Sequence, residues 1–443
     1  MVKGIADLPA VPFSGDDIER GRIAARVAAA AAAHGPIFKW SISDGRNAGE
    51  YVFMVGPEAN RFVLHTGREH FSHRAGWTPI IGDTLGVGLL NMDPPEHTRH
   101  RKLWNPAFTG AAMEAYLPII NRIIAERASG WPEQEEIDAY HEAREITFDA
   151  AAAALAGFER GPRVDELRRL FYTLLHGVEP GEGTWDDFWQ QASRARDALA
   201  SILQEVIVER RALPDDAQPR DVLGLIVRAR DEDGQPLSDD QLLGHLNILL
   251  VAGHETTTTL GAWTLWHLAA RADHRERIRG ELTGLLGSAD APVTVEALRE
   301  MRQLDNFIKE TGRLYPPVLH VPRGVLSPFE FGGYTIPTGA QVRLAIAGGH
   351  RLPQVFADPE RFDPDRFAPP REEDRRTPYS LVTFGGGPRT CIGVNFAQIE
   401  VKALVAHILP RYDLEPLGEP VVHAGFWTAE IHRGIRLRVH RRV

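Results

Sequence analysis

A mainly helical body with a small β-rich region, an α+β fold, is what this sequence predicts, and three patterns carry the expectation. Apolar residues recur at threes and fours through residues 111 to 213 and again from Ala397 through Val401, Leu404, Val405 and Ile408. One apolar stretch, Ser238 to Ala270, has room for roughly 50 Å of helix at about 1.5 Å per residue. Period-two runs are few and short, at residues 37–42, 51–55, 329–336 and 341–346. A length of 443 residues allows two or three domains or one large body, and no long linker is visible.

Met1 to Asp16 holds prolines and charges but no apolar segment of the length that a signal peptide or membrane span needs, so a cytoplasmic protein without a membrane anchor is expected. Ala24 to Ala33 reads as a plain helix. Ile37–Ile42 and Tyr51–Val55 read as strands around an Asp44-Gly45 turn, and Gly56-Pro57 opens a short helix. Phe71 to Pro95, with Gly82, Gly86 and Gly88 among apolar residues, reads as irregular. Asp93-Pro94-Pro95 then starts a helix on which His97 and Arg101, four apart, share a face. Charge spacing alone makes this a solvated basic face. Pro132, Gly161-Pro162 and Pro180-Gly181-Glu182-Gly183 break the helical region that follows, and Thr184 can cap the segment after the last break.

Ser238-Asp239-Asp240-Gln241 is a capping box, and the helix after it is apolar on nearly all faces. Its middle is wrong for a purely structural helix: Ala252-Gly253-His254-Glu255 and four threonines from Thr256 stand where leucines would serve better. Leu304 to Tyr315 is another helix, ending before Pro316-Pro317 and carrying Glu310 and Arg313 three apart. Phe329–Ile336 reads as a hairpin and Gln341–Ile346 as a strand.

The single cysteine, Cys391, lies in Phe384-Gly385-Gly386-Gly387-Pro388-Arg389-Thr390-Cys391-Ile392-Gly393 and has no disulfide partner, which fits a reducing compartment. A lone cysteine is by default an inert buried thiol. Here three glycines open the backbone to a flat ligand, Arg389 adds positive charge, Gly393 lets the chain turn past the sulfur, and a helix N-terminus follows that favours thiolate. No Lys-Ser/Thr pair follows the glycines, so the loop is not a phosphate loop. The net charge of −10 gives no support for nucleic-acid binding.

The cysteine stretch resembles the haem-ligand loop of the cytochromes P-450, Phe-x-x-Gly-x-Arg-x-Cys-x-Gly, at every specified position. Ala252-Gly253-His254-Glu255-Thr256 resembles the family's oxygen-activation site, Glu310-x-x-Arg313 its Glu-x-x-Arg pair, and Arg366 in Pro364-Asp365-Arg366-Phe367 occupies the place of the third member, with Arg361 as a competitor. The C-terminal end, with Phe426-Trp427 and Ile435–Val439, resembles the family's closing hairpin. The resemblance implies one P-450 domain over residues 1–443, its β-rich region at roughly 37–60 and 320–345, with haem b between the long central helix and the cysteine helix. It implies Cys391 as the iron ligand. Phe384, Arg389, Gly393 and Ala252 would lie against the haem, and His97, Arg101 and Arg323 would hold its propionates. Arg99, His100 and Lys102 would point away, toward a docking partner. Glu255 and Thr256 would relay protons during oxygen activation, His254 has no assigned role, and Gly312 would loosen its helix.

The implied activity is a monooxygenase that inserts one oxygen atom of O2 into a C–H bond, a hydroxylation, or a double bond, as secondary-metabolic enzymes do. Electrons would come from NAD(P)H through a separate ferredoxin or flavodoxin with its reductase, since no flavin or nicotinamide domain is present. A haem-thiolate peroxygenase or isomerase, or a haem-based sensor or carrier, is the alternative, and the acid–alcohol pair argues against it. Leu85, Val87, Leu89, Leu90, Ile248, Val251, Val318, Leu319, Val321 and Phe426 match pocket-facing sites of the family. A hydrophobic terpenoid, steroid, fatty acid or polyketide would suit them, with Asn247 or His320 as an anchor for one polar group. A monomer is expected.

Overall fold

The computed structural model describes residues 3–13, 21–42, 49–131, 136–176, 185–230, 234–424, 429–432 and 434–442. The expected Asp44-Gly45 turn, the break at Pro132, Pro180–Gly183 with Thr184, and Phe426-Trp427 lie outside these residues. Packing divides the chain into two compact units, one of Met1–Ser72, Ile124–Arg144 and Thr256–Val443, the other of His73–Ile123 and Glu145–Glu255. The division falls inside a single continuous helix, Asp239–Ala270.

Every sheet among the described residues belongs to the first unit. Its principal sheet runs Ala10–Pro12, Ile37–Ile42, Gly49–Val55, Gln341–Ala345, His320–Val325, Phe71–Ser72. The two strand runs expected near the N-terminus and the run at 341 are therefore its centre, joined by the parallel pair Val52–Val55 with Val342–Ala345. Both faces are covered, as the apolar content of these strands requires. Phe38, Trp40, Phe53 and Ala345 meet Val27 and Ala30 of the helix Ile23–His34 in one cluster, while Val52, Met54, Val342 and Leu344 form a second with Val63, Leu64 and Phe71.

The second unit is helical, with His73–Leu85, Glu96–Trp104, Pro162–His176 and Trp185–Ala212 among its elements. The expectation of irregular chain from Phe71 to Pro95 is corrected here. His73–Leu85 is a helix despite Pro79 within it. Its first amides, of His73 and Arg74, donate to Asp93 Oδ1 at 2.7 and 3.3 Å, so the cap comes from twenty residues downstream and leaves no local signature. The long helix begins as its sequence proposes: Ser238 N donates to Gln241 Oε1 at 2.9 Å, and Gln241 N donates to Ser238 Oγ at 3.2 Å. No described helix is long and apolar enough to cross a membrane.

Several histidines are buried in neutral form. Burial holds His245, His320 and His350 each at a pKa of about 3 and His407 at about 4, with nearby positive charge adding to the effect at His320, His350 and His407. A folded-state pKa below the unfolded value of about 6.5 means that the unfolded chain binds more protons as pH falls below that value. Stability is therefore retained above pH 6.5 and lost on acidification, by about 2 kcal/mol at pH 5 for each histidine held near 3. Urea denaturation midpoints measured from pH 7.5 to pH 5 should fall steadily; a midpoint flat over that range contradicts neutral burial.

Candidate active site

The cysteine loop is closed on itself by Cys391 N donating to Phe384 O at 2.9 Å, Gly385 N to Val382 O at 2.8 Å, and Thr390 Oγ1 to Gly387 O at 2.8 Å. Cys391 is exposed at this loop, and the helix Val394–Ile408 follows with Gly393 at its N-cap. The glycines have reasons that sequence alone does not supply. Gly387 has φ +62, and a Cβ there would stand 2.3 Å from Leu64 O, so this residue is glycine because another backbone crosses it. Gly393 has φ −86, a conformation open to any residue, so the tight turn past the sulfur does not rest on left-handed backbone at that position.

Behind the loop lies a buried ion network. Glu310 and Arg313 sit three apart on the helix Arg302–Leu314, and Glu310, Arg313 and Arg366 are each wholly buried. Glu310 Oε2 accepts from Arg313 Nε at 2.7 Å, and Oε1 accepts from Arg313 Nη2 at 2.8 Å, Arg366 Nε at 3.0 Å and Asp363 N at 2.8 Å. Arg366, not Arg361, supplies the side chain; Arg361 contributes its carbonyl, which accepts from both guanidinium groups. Arg366 also donates to Glu373 Oε2 at 2.8 Å, giving two carboxylates for two arginines.

Two contacts carry this rigidity to the cysteine loop. His350 Nδ1 donates to Arg313 O at 3.2 Å, so its Nε2 is the acceptor that takes Val382 N–H at 3.0 Å, at the entrance to the loop. Thr383 Oγ1 donates to Gly312 O at 3.2 Å, and a Cβ on Gly312 would come 2.9 Å from Thr383 Cγ2. Gly312 therefore admits Thr383; it is a packing position, not a loosened one. Sequence reasoning had no signal for His350, Thr383 or Glu373.

In the first unit, Arg323 is buried in the sheet with Nη1 donating to Pro322 O at 2.7 Å, while Phe384 and Arg389 are half-buried. Register puts Arg323 opposite Val342, on the face that also carries Val321 and Leu344. His320 pairs with Ala345 on the other face and meets the Phe53 ring at 5.6 Å, so it belongs to the aromatic cluster and does not share a face with Val321. Leu319 packs in that same cluster, and Val318 and Val321 pack against the second one.

In the second unit, the helix Glu96–Trp104 buries His97, leaves Arg101 half-buried, and exposes Arg99 and Lys102. His100 does not point outward with them: it is buried, with Nδ1 2.7 Å from His245 Nε2. Leu85 and Leu89 are buried, Leu90 is half-buried, Val87 is exposed, and the loop lies on the long helix near Ile248, where a Cβ on Gly88 would stand 2.9 Å from Ile248 Cδ1. Asn247 Nδ2 donates to Leu85 O at 3.4 Å, a long bond that ties this loop to the helix. Val251 and Glu255 are half-buried and Ala252 is exposed, in a helix otherwise largely buried. His254, without a role in the sequence reading, is buried with Nε2 2.9 Å from Glu255 Oε1.

In the first unit a reachable thiol precedes a helix N-terminus and the buried guanidinium of Arg323 suits a carboxylate group, a donor set that fits an iron porphyrin. In the second unit the long helix carries the small side chain of Ala252 at an exposed position. The sequence model of cytochrome P-450 matches residues 11–423. The chain belongs to the cytochrome P-450 family. Its relatives include a cytochrome P-450 120 of Synechocystis, 33% identical with 86% of this chain and 83% of that protein covered. A sterol 14alpha-demethylase of Mycolicibacterium vanbaalenii is 30% identical with 89% of each chain covered. Among solved structures, a retinoic acid-bound cyanobacterial CYP120A1 matches with a TM-score of 0.85 and 27% identity over 100% of both chains. The protein is accordingly a cytochrome P-450 monooxygenase, an enzyme of haem iron and O2, with the fold of that family.

Removing one partner of a buried ion pair leaves charge uncompensated and costs about 3–5 kcal/mol. Glu310→Gln should lower stability by that amount and reduce haem retention, read from chemical denaturation and from haem content after gel filtration. Wild-type values for both would show that the network does not support the cysteine loop.

Proposed function

We propose that this enzyme inserts one oxygen atom into a C–H or C=C bond of a large apolar lipid of the isoprenoid class, a steroid or terpenoid. The observation that carries the oxygen-inserting reading is the Glu255-Thr256 pair at the centre of the long helix, in a chain whose one cysteine is exposed at the expected loop. A sensor, a carrier or an isomerase has no use for such a pair. Support for the substrate class comes from the apolar residues Leu85, Leu89, Leu90, Ile248, Val318 and Val321 and from the ligand and activity named for the CYP120A1 structure and the sterol demethylase. The family match runs through both units, which supports reading residues 1–443 as one domain.

Cys391 would ligate the haem iron, Phe384, Arg389, Gly393 and Ala252 would contact the haem, and His97, Arg101 and Arg323 would bind its propionates. When bound, the thiolate-ligated haem supplies oxygen activation and O–O cleavage. The helix N-terminus after Gly393 and the charge of Arg389 would favour the thiolate form in which a cysteine ligates iron. Thr256 presents a hydroxyl that both accepts and donates a proton. Glu255, with 12% of its side chain exposed, can take a proton from solvent and hand it inward.

Electrons from NAD(P)H would reach the enzyme through a separate ferredoxin or flavodoxin with its reductase. Exposed Arg99 and Lys102 offer positive charge for such an acidic protein. Lys102→Glu should slow donor-supported reduction by about fivefold at low salt, with the difference shrinking as salt rises, and leave dithionite reduction alone. Equal rates would move the docking surface elsewhere.

The spectrum of the dithionite-reduced protein with carbon monoxide tests the ligand: a red-shifted thiolate-type Soret band is expected, and a histidine-type band refutes Cys391 ligation. Spin-state shifts with steroids and terpenoids, absent with short fatty acids, test the substrate class. With a substrate in hand, Thr256→Ala should keep nucleotide consumption but lower product per nucleotide by about tenfold or more, with peroxide released. Unchanged coupling removes Thr256 from the mechanism.

A further inference from the structure

The residue between Gly253 and Glu255 is the one polar group in the central motif to which neither the family pattern nor the sequence assigns a task, and its geometry gives it one. His254 is 2% exposed, and its Nδ1 lies 2.6 Å from Leu250 O. A carbonyl oxygen only accepts, so Nδ1 carries the hydrogen. Its other nitrogen, Nε2, lies 2.9 Å from Glu255 Oε1. With Nδ1 already protonated, a neutral imidazole would turn a lone pair toward the lone pairs of a carboxylate, which is not a hydrogen bond. The contact holds only with a proton on the Nε2···Oε1 axis, either on imidazolium or on carboxylic acid.

We propose that His254 is a positioning residue that stores one proton for Glu255. The pair is neutral when loaded. On delivery, Glu255 hands on the one proton held on the Nε2···Oε1 axis; His254 is left as the neutral Nδ1–H tautomer and Glu255 as a carboxylate, so the unloaded pair carries one negative charge. One proton from solvent, arriving through the partly exposed carboxylate, restores the pair; no electron moves. Glu255 is then aimed at its protonated partner between deliveries and released from it when unloaded.

The surroundings favour such a pair. Thr147 and Phe148, on the helix Ala139–Ala156, cover His254: the Thr147 hydroxyl donates to His254 O at 3.4 Å, and the Phe148 ring meets the imidazole at 5.0 Å with an interplanar angle of 75°. Charged groups on the packed helices are engaged with one another. Arg168, 5.8 Å from the Phe148 ring, donates to Glu145 at 2.7 Å, Asp149 at 2.6 Å and Asp165 at 3.0 Å, and Arg160 pairs with Asp149 at 3.0 Å. Glu255 is the charge in hydrogen-bond contact with the ring.

The inference rests on Glu255 acting as proton donor, and its test is independent of turnover. In the diamagnetic ferrous carbonyl holoenzyme, labelled histidine and glutamate allow His254 and Glu255 to be followed by NMR as pH is varied, with His254→Gln and Glu255→Gln giving the assignments. Wild type should show His254 either doubly protonated or as the Nδ1–H tautomer, and both residues should report one shared midpoint. Glu255→Gln should lower the proton affinity of His254 by about tenfold or more. Separate midpoints, or a His254 midpoint unmoved by Glu255→Gln, overturn the storage role while leaving Glu255 as a donor in its own right. Should Glu255→Gln fail to bind haem, wild type alone decides, because a neutral Nε2–H tautomer is incompatible with the proposal. As a second readout, peroxide leakage in His254→Gln should rise with pH more steeply than in wild type, since Gln keeps a donor to Glu255 but holds no proton; parallel pH profiles contradict the inference.

Discussion

One carboxylate, Glu310, holds together the part of this enzyme that has least regular structure of its own. Two wholly buried guanidinium groups are tolerable only where their charge is met, and Glu310 meets both, with Glu373 completing the balance. Such a network adds little net stability over an apolar core of equal volume, since desolvation offsets most of the attraction. What it adds is direction: each bond has a donor and an acceptor at fixed angles, so the helix Arg302–Leu314 and the chain from His350 to Val382 have one mutual arrangement.

The long helix shows the opposite division of labour. Its ends are built for stability, by the Ser238–Gln241 box at the start and by Trp263 and Trp266 among apolar neighbours near the finish. Its middle replaces buried leucines with Gly253, Glu255 and threonines, accepting lower helix propensity for groups that can handle protons. The flanking turns make that substitution affordable.

Features encoded by neighbours in sequence were legible from sequence. The capping box, the helix after Gly393, the strands at 37–42 and 341–345, and the Glu310–Arg313 spacing are all local patterns, and the structure contains them. What was illegible depends on residues far apart in the chain. The helix His73–Leu85 was missed because its cap is Asp93. His100 looked like part of a basic surface because its partner, His245, lies 145 residues away. Gly312 and Gly387 looked like freedom of the backbone and prove to be clearances for Thr383 and for Leu64 O. The His254–Glu255 contact was the exception, adjacent in sequence yet visible only once the rotamer and tautomer were known.

Arg313 and Arg366 have a second role besides charge. Their outer N–H groups donate to the carbonyls of His350, Ala357, Pro359 and Arg361, all in a stretch with little helix or strand. Carbonyls are the same in every amino acid, so two side chains gauge the path of this segment without reading its composition. Outside Leu352 and Phe356, which are buried, exposed positions such as Gln354, Ala357 and Glu360 can therefore exchange their side chains at small cost, whereas one residue inserted or deleted would put every carbonyl after it out of register. At those positions the chain is specified by its count, as a measured length of cord is, more than by its letters.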